Sequence, residues 1–384
     1  MTSFDLRNDR IALTFDGSSG ALRQIRDLDR QIDYLDPSVE TIPFRLFTAS
    51  ATVPLEGFTR FTHEVHDHRA SLLWELEDDR IRAEVELLDD GVQFTAGLEA
   101  LREDPPAYAI EYPLIQGLQD GTDTHLAHSY ATGILIADPI HLLPTEGTLR
   151  FVPYPEGFSG ATMQLMSFYH ADGGLYLAAH DVAGHQKWLN AYTELDLPET
   201  LTLSHMYGFE DLRPGRDVTM PYPFVLRLTD GGAWETSAQL YREFALAQPW
   251  CAQGPVAEQD PESRAAWLHE EVGYTTFGVN AGHDRSHWLT RYRQDIGTPG
   301  FHVLGPDWTN QPQTFGSGIP GGLADWLPTR FSQATLDAIR SNGDRFAPFE
   351  FDFLVATTQS QQEELKHNLQ HFHSPSFSHD GYRF

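Results

Sequence analysis

Two carboxylates alternate with three phenylalanines in the segment from Phe349 to Phe353, a pattern that could carry chemistry. Successive side chains of a β-strand point to opposite faces, so Glu350 and Asp352 would share one face and the phenylalanines the other. In a (β/α) barrel the phenylalanines would pack under the helices and the carboxylates would point inward, where barrel enzymes hold their substrates. An edge strand with one solvated face fits the same alternation.

Two Asp-Trp pairs, Asp307-Trp308 and Asp325-Trp326, precede that strand. An Asp side chain can accept hydrogen bonds from two adjacent sugar hydroxyls, and an indole can cover the apolar C–H side of a pyranose ring. A helix-capping Asp beside a core Trp explains either pair taken alone. The weight of these candidate sugar-binding residues therefore depends on the fold around them.

Other arrangements that carry chemistry are incomplete in this sequence. His269-Glu270 lacks the second histidine of a metalloprotease helix, because position 273 is glycine. The sequence contains no Gly-x-Ser-x-Gly nucleophile elbow, which argues against an α/β-hydrolase. We predict no metal site, because solvent exposure explains two groups of histidines better than metal binding does: His63, His66 and His68, and His367, His371 and His373. We also predict no cofactor.

The elements that would position the candidate residues begin with a long series of strands. Apolar and charged residues alternate from Ile81 to Leu87, Asp89-Asp90-Gly91 forms a turn, and alternation resumes from Val92 to Leu98. Strands at this spacing, without helical periodicity among them, predict a large antiparallel β-sandwich over residues 1–232.

A connecting helix and linker are predicted over residues 233–266. Leu240, Tyr241 and Phe244 follow helical spacing, and a segment rich in small, polar and proline residues comes after Pro249. This change of pattern predicts a domain boundary.

Strands and helices alternate over residues 267–384. The predicted strands are Tyr274 to Val279, Phe301 to Leu304 and Phe346 to Val355, each followed by a helical pattern. Three β-then-α units predict parallel strands with right-handed crossovers, in a doubly wound sheet or a barrel. Because no nucleotide-binding motif is present, we favour an incomplete (β/α) barrel of about three units. The predicted fold class is thus multi-domain β plus α/β.

Composition and charge exclude several partners. The chain has 26 Lys plus Arg against 55 Asp plus Glu, and its net charge of -29 repels nucleic acid and anionic lipid head groups. Cys251 is the only cysteine, so no intrachain disulfide can form. The first residues carry charge, and no apolar stretch reaches membrane-spanning length. We expect a cytoplasmic protein that binds neither nucleic acid nor membranes.

The stretch from Tyr274 to Val355 resembles the barrel opening of the family 36 α-galactosidase-type glycoside hydrolases. In those enzymes the second strand ends in Asp-Asp-Gly-Trp, a Leu-Gly-Asp-Trp segment follows, and the third strand reads like Lys-Phe-Gly-Leu-Trp-Phe-Glu-Pro-Glu. The family also places a mutarotase-like β-supersandwich and a connecting helix before the barrel. The matching segments here are Gly305-Pro306-Asp307-Trp308, Leu323-Ala324-Asp325-Trp326 and Arg345-Phe346-Ala347-Pro348-Phe349-Glu350-Phe351-Asp352.

The resemblance implies a sugar subsite lined by Asp307, Trp308, Asp325 and Trp326, with Glu350 and Asp352 near its floor. Gly305 or Pro306 replaces the first Asp of the family's sugar-binding pair, so a galactose preference is not implied. The family's two catalytic carboxylates belong to strands four and six, and the sequence from Val272 onward is shorter than the roughly 250 residues of a whole barrel. We therefore expect a C-terminally truncated, glycoside hydrolase-like chain that acts on or binds an oligosaccharide or glycoside, with no catalytic residue of its own.

Other functions stay open at this point. One is a non-catalytic carbohydrate-binding or assembly protein built on the sandwich, and another is an aldose epimerase that works from the sandwich alone. The sequence offers no assignable His and Glu pair for the epimerase. Three parallel strands with an unpaired edge would also favour self-association, so we expect a homo-oligomer formed through that edge.

Overall fold

The computed structural model divides the chain into two compact units, Met1–Ala252 and Gln253–Phe384. It describes residues 3–48, 53–100, 107–143, 149–155, 160–210, 217–252, 254–255, 267, 271–280, 282–305, 331–348, 355–356, 378–379 and 382–383.

The first unit consists almost entirely of antiparallel strands. Its described helices are α1 (Pro139–Leu142), α2 (Glu235–Leu246) and a short 3₁₀ turn at Pro249–Cys251. Its strands are β1 (Ser3–Arg7), β2 (Ile11–Asp16), β3 (Leu22–Asp27), β4 (Ile32–Asp33), β5 (Arg45–Thr48), β6 (Arg60–His66), β7 (Arg69–Glu75), β8 (Asp79–Leu88), β9 (Gly91–Ala100), β10 (Ala107–Leu118), β11 (His125–Tyr130), β12 (Ile134–Ala137), β13 (Val152–Tyr154), β14 (Ala161–His170), β15 (Gly173–Ala179), β16 (Lys187–Glu194), β17 (Leu197–Gly208), β18 (Val218–Thr219) and β19 (Phe224–Thr229).

These strands form three antiparallel sheets. A four-stranded sheet has the order β1-β2-β3-β4, and a five-stranded sheet has the order β13-β16-β17-β10-β5. The largest sheet runs β12-β11-β14-β15-β19-β9-β8-β7-β6, with β18 also paired to β9. The antiparallel β-sandwich predicted from the sequence is therefore confirmed.

The β8–β9 hairpin shows how the sequence specifies this sheet. Leu88 pairs with Gly91 across the turn, and the register continues to Ile81 opposite Leu98. Ile81 and Val85 are buried in the main core while Arg82 is exposed. The alternation in the sequence thus fixes which face of each strand meets the core.

One hydrophobic core joins the sheets of the first unit. Trp74 is a fully buried member of this core, and its ring centroid lies 5.3 Å from that of Phe44 and 5.4 Å from that of Phe61. Full burial of one such large apolar side chain contributes about 1.5–3 kcal/mol. Helix α2 packs Tyr241 on the largest sheet against Tyr176.

The second unit contains a β-α-β-α-β series. Its first elements are β20 (Tyr274–Val279), α3 (Ser286–Ile296), β21 (Gly300–Leu304), α4 (Gln333–Asn342) and β22 (Arg345–Pro348). The three strands are parallel in the order β20-β21-β22. The remaining described strands pair antiparallel and are β23 (Val355–Ala356), β24 (Ser378–His379) and β25 (Tyr382–Arg383).

A small core attaches the two helices to one face of the parallel sheet. Leu289 of α3 and Ile339 of α4 pack with Val279 and Leu304 of the strands. The side chain of Ser332 caps α4 by accepting a hydrogen bond from a backbone N–H in the first turn. Three parallel strands with helices on one face fit the start of a barrel or an open sheet, so barrel closure stays a prediction.

Among the described residues, no helix is both long enough and apolar enough to cross a membrane.

Candidate functional site

The six candidate sugar-binding residues all lie outside the described part of the chain. Their positions in space therefore stay predictions, as does the inward orientation of the two carboxylates in the third strand. The residues concerned are Asp307, Trp308, Asp325, Trp326, Glu350 and Asp352.

The strand ends next to these segments are described, and they meet at one edge. Val279 of β20 pairs with Leu304 of β21, which pairs with Pro348 of β22. The backbone N–H of Gly305 donates to the carbonyl of Val279 at 2.6 Å. The chain thus leaves both β21 and β22 at the carboxyl edge, the edge at which parallel α/β folds bind ligands.

A hydrogen-bonded series of three side chains crosses the same strands. Thr276 Oγ1 lies 2.9 Å from His302 Nδ1, and His302 Nε2 lies 3.1 Å from Asp344 Oδ2. Asp344 also accepts from the backbone N–H of Gly300 at 2.8 Å. Hydroxyl, imidazole and carboxylate in this order are typical of an activated nucleophile.

Burial rules out that catalytic role for the series. The side chains of both His302 and Asp344 are 0% exposed, so no substrate reaches them. Asp344 directly precedes β22 and bonds to the first residue of β21, which places it near the amino ends of these strands. In parallel α/β folds, residues at the amino ends of the strands serve stability, and catalytic residues lie at the carboxyl ends. We interpret the series as a structural tie between the three strands.

The sandwich holds a buried ion pair that sequence reasoning missed. Lys187 Nζ donates to Asp181 Oδ2 at 2.7 Å, and the lysine side chain is 0% exposed. Its ammonium lies 4.6 Å from the ring centroids of both Tyr154 and Tyr222. Burial, only partly offset by Asp181, lowers the pKa of Lys187 to about 8. His185 Nδ1 lies 2.9 Å from the other oxygen of Asp181.

A second buried polar cluster lies on the five-stranded sheet and centres on Arg45. Its Nε donates to Glu56 at 2.7 Å, its Nη1 to Tyr192 Oη at 2.5 Å, and its Nη2 to Glu194 at 2.6 Å. The carboxylates around Arg45 raise its pKa above the usual value even though burial opposes this. The guanidinium is therefore permanently charged and holds the surrounding acceptors in place.

Glu111 completes this cluster from the middle of the sheet. Its Oε1 accepts hydrogen bonds from Ser204 Oγ, from Tyr192 Oη at 3.1 Å and from Asn190 Nδ2 at 3.3 Å. Its Oε2 lies 3.5 Å from Arg45 Nη1 and has no hydrogen-bond partner among the described residues. In the sequence, Glu111 is a single carboxylate inside a mostly apolar segment, and the search for alternating patterns did not identify it.

Metal binding is not supported in the described residues, where no group of three His, Cys, Asp or Glu side chains could hold an ion. Of the first histidine group, His63 stacks on Phe4 with ring centroids 4.1 Å apart. His66 is exposed beside Glu64, with a nitrogen–oxygen distance of 3.7 Å. The second histidine group lies outside the described residues.

Comparison with known proteins finds a relative that matches part of the chain and solved structures that have a similar fold. No protein-family model matches the chain. A Monosiga brevicollis protein named as a candidate glycoside hydrolase is 42% identical over 109 aligned residues, covering 26% of this chain and 9% of that protein. The resemblance to glycoside hydrolases thus recurs in the name of a partial relative, while membership of family 36 stays a prediction.

Solved structures share the fold over most of the chain. The α-N-acetylgalactosaminidase NagBb of Bifidobacterium bifidum, in complex with GalNAc, matches 91% of this chain with a TM-score of 0.56 and 15% identity. An Escherichia coli protein described as a candidate aldose 1-epimerase matches 59% of this chain and 98% of its own, with a TM-score of 0.40 and 13% identity. This chain spans 58% of NagBb and 9% of the Monosiga protein. At this level of identity, the match to NagBb shows a common fold.

Proposed function

We propose that this chain is the sugar-recognising part of a glycoside hydrolase-type protein that acts on or binds an oligosaccharide or glycoside. The observation that carries the proposal is the fold shared with an α-N-acetylgalactosaminidase over 91% of the chain. The segment 42% identical to a protein named as a candidate glycoside hydrolase supports the same class. An antiparallel sandwich followed by parallel β-α units fits the order of domains in the family that the sequence resembles.

We assign the sugar subsite to the segments that follow β21 and β22. Asp307 and Asp325 would accept hydrogen bonds from adjacent hydroxyls, and Trp308 and Trp326 would cover the apolar ring face. The described strand ends support this assignment, because both segments leave the sheet at the carboxyl edge. Glu350 and Asp352 would lie near the floor of the same subsite.

We assign no bond cleavage to these residues. Retaining hydrolysis needs two carboxylates on either side of the glycosidic bond. In the family that the sequence resembles, those carboxylates come from the fourth and sixth barrel strands. The proposal for this chain is therefore recognition without turnover. Turnover of aryl glycosides by the purified chain, above a no-protein control, would contradict it.

Sugar binding by the purified chain tests the recognition site. D-galactose, D-glucose and N-acetyl-D-galactosamine would be titrated and followed by calorimetry and saturation-transfer NMR. The double variant Trp308→Ala/Trp326→Ala should lose about 1–3 kcal/mol of binding free energy for each ring that stacks on the sugar, which is about 5- to 150-fold in affinity per ring.

A matched control removes two indoles from the first unit. Trp234 and Trp250 are 43% and 48% exposed, so Trp234→Ala/Trp250→Ala should fold normally and bind as before. If the control loses binding and the Trp308/Trp326 variant keeps it, the assignment to the parallel strands is wrong.

Self-association through the edge of the parallel sheet and a cytoplasmic location are further proposals. In the described sheet, β20 and β22 each pair with β21 on one side. Sedimentation of the purified chain over a range of concentrations checks the first proposal, and a constant monomer mass would contradict it.

A further inference from the structure

A sugar-binding site needs hydrogen-bond donors as well as acceptors, and the candidate residues supply mostly acceptors. A sugar hydroxyl both donates and accepts, whereas a ring oxygen or a glycosidic oxygen only accepts. The four candidate carboxylates, when ionised, can only accept, and each of the two indoles has a single N–H. Further donors are therefore expected from other residues at the same edge of the parallel sheet.

The guanidinium of Arg285 lies at the carboxyl end of β20. Arg285 Nη2 donates to Asn280 Oδ1 at 3.0 Å, and Asn280 directly follows Val279, the last residue of β20. The carbonyl of Val279 accepts the backbone N–H of Gly305, where the chain leaves β21 toward Asp307. The guanidinium is thus held near the start of the segment that contains the first Asp-Trp pair.

The chain returns to the same loop at the start of α4. Thr335, in the first turn of this helix, is 1% exposed. Its Oγ1 accepts from the backbone N–H of Arg285 at 2.9 Å and donates to the carbonyl of His283 at 2.8 Å. Residues 306–330, which lie outside the described part of the chain, therefore begin and end next to the loop that carries Arg285.

Arg285 is accessible, and no carboxylate of the described residues neutralises it. Both Arg285 and Asn280 are exposed. The arginines of the second unit that form ion pairs among the described residues are Arg291, Arg340 and Arg345. The carboxylate next to Arg285 in sequence, that of Asp284, instead accepts from the backbone N–H and the hydroxyl of Ser286. An exposed guanidinium held by a neutral amide retains N–H groups that can donate to a ligand.

We propose that Arg285 is a specificity-determining residue of the sugar subsite, where its guanidinium donates to two adjacent oxygens of one neutral sugar unit. This inference rests on the function proposed above and supplies the donors of the same subsite. A guanidinium presents its N–H groups in a fixed planar fork, which suits two neighbouring acceptors. One sugar hydroxyl would then accept from Arg285 and donate to a candidate carboxylate, and hydrogen bonds linked in this way strengthen one another.

The charges of this subsite favour a neutral sugar over an anionic one. Four candidate carboxylates follow β21 and β22, against the guanidinium of Arg285 after β20. A sugar phosphate or a uronate would be repelled by this excess of negative charge. The guanidinium lowers the repulsion among the carboxylates and gives the sugar a charged donor.

Thr335 has a positioning role, because its buried hydroxyl fixes the loop from which the Arg285 side chain extends. The hydroxyl bonds to the backbone of both Arg285 and His283, so it holds the residues on either side of Asp284. Without the hydroxyl the loop would lose both of these contacts to α4. The guanidinium would then be placed less precisely over the end of β20.

Deoxy sugars test the role of Arg285 in the full chain. Calorimetry and saturation-transfer NMR first identify which of D-galactose, D-glucose and N-acetyl-D-galactosamine binds, and monodeoxy analogues of that sugar follow. Arg285→Met removes the donors and should weaken the parent sugar about tenfold, the loss expected for a hydrogen bond to a charged group. For the analogue that lacks a recognised hydroxyl the loss should be smaller, because one partner of the guanidinium is already absent.

Two other arginine variants complete this test. Arg291→Met is the matched control, since Arg291 is an exposed arginine of α3 that pairs with Asp295, and it should leave every affinity unchanged. Arg285→Lys keeps the charge but lacks the planar fork, so it should recover only part of the affinity lost in Arg285→Met.

Variants of Thr335 test the positioning role. Thr335→Ser keeps the hydroxyl and should bind as the unsubstituted chain does, whereas Thr335→Val should bind severalfold more weakly. Combined with Arg285→Met, Thr335→Val should cause no further loss, because it acts through Arg285. A merely structural role predicts equal losses with and without Arg285. Thr335→Ala removes the same hydroxyl and replaces Thr335→Val if that variant does not fold.

The outcomes separate this inference from the function on which it rests. If Trp308→Ala/Trp326→Ala loses sugar binding but Arg285→Met keeps it, the subsite stands and the role of Arg285 is refuted. A loss in Arg285→Met that is equal for the parent sugar and for every deoxy analogue also refutes that role, because no sugar oxygen then depends on the guanidinium. A chain that binds none of the three sugars refutes both proposals.

Discussion

Replacing Asp181 by Asn removes the partner of a lysine that has no access to solvent. Among the described residues, Lys187 keeps one other polar contact, to the carbonyl of His185, and its ammonium lies near the rings of Tyr154 and Tyr222. A buried ammonium without a carboxylate is strongly disfavoured, and lysine avoids this by releasing its proton. We expect the variant to fold with a neutral lysine.

The free energy of unfolding that Asp181→Asn should lose follows from the pKa of Lys187. The pKa is about 8 in the fold against about 10.4 for an unperturbed lysine, so keeping the ammonium charged costs about 3 kcal/mol. Neutralising a group of pKa about 10.4 at pH 7 costs about 5 kcal/mol. The charge-dependent loss in Asp181→Asn is the difference, about 1–2 kcal/mol at pH 7. At pH 9 the lysine is already neutral in the unsubstituted protein, so this loss should vanish.

Urea unfolding at pH 7 and pH 9, followed by circular dichroism, measures both values. Between about pH 8 and 10.4 the unfolded chain binds more protons at Lys187 than the fold does, so this group makes stability rise with pH. Glu86→Gln is the control, because Glu86 forms an exposed pair with Arg69 that should contribute less than about 1 kcal/mol. A loss in Asp181→Asn that is equal at pH 7 and pH 9 would refute the reasoning.

Two other predictions concern stability. Burial lowers the pKa values of His128 and His180 to about 4 and that of His205 to about 3, so the unfolded chain takes up protons first as the pH falls. The urea midpoint should therefore fall between about pH 6.5 and 4, and an unchanged midpoint there would contradict this. Gly231→Ala should lower the free energy of unfolding more than Gly232→Ala does in the same assay. Both glycines have positive φ, so both substitutions strain the backbone. A Cβ at Gly231 would also lie 2.4 Å from the backbone nitrogen of Gly173, whereas a Cβ at Gly232 would meet nothing within 4 Å. Equal losses would show that the close approach at Gly231 is unimportant.

Local patterns in the sequence were enough to predict most elements. The β8–β9 hairpin followed from alternation and an Asp-Gly turn, because both signals lie within a few residues of the contacts they specify. Helix α4 followed from Ser332 at its start and from the apolar spacing of Leu336 and Ile339. The parallel arrangement of β20, β21 and β22 followed from the intervening helices, which leave the chain no shorter connection.

The polar clusters could not be predicted in the same way. The Arg45 cluster forms only because β5, β10, β17 and β16 lie side by side and bring Arg45, Glu111 and Glu194 together. No local sequence pattern predicts which of these strands are neighbours. Strand β10 is buried on both faces, so its apolar run hides the face on which Glu111 lies. The ion pair of Lys187 and Asp181 is close in sequence, but its burial depends on strands far along the chain.

The hydrogen-bonded side chains between the three parallel strands would help to position the proposed sugar subsite. The series Thr276, His302 and Asp344 fixes the register of the three parallel strands, because each hydrogen bond joins neighbouring strands at one defined residue pair. A shift of register would break these bonds and leave the fully buried His302 and Asp344 unsatisfied, at a cost of about 1–3 kcal/mol for each group. The same register sets where β21 and β22 end, and so where the segments with Asp307 and Glu350 begin. A structural tie at one end of the strands thus determines the placement of the recognition residues proposed for the other end.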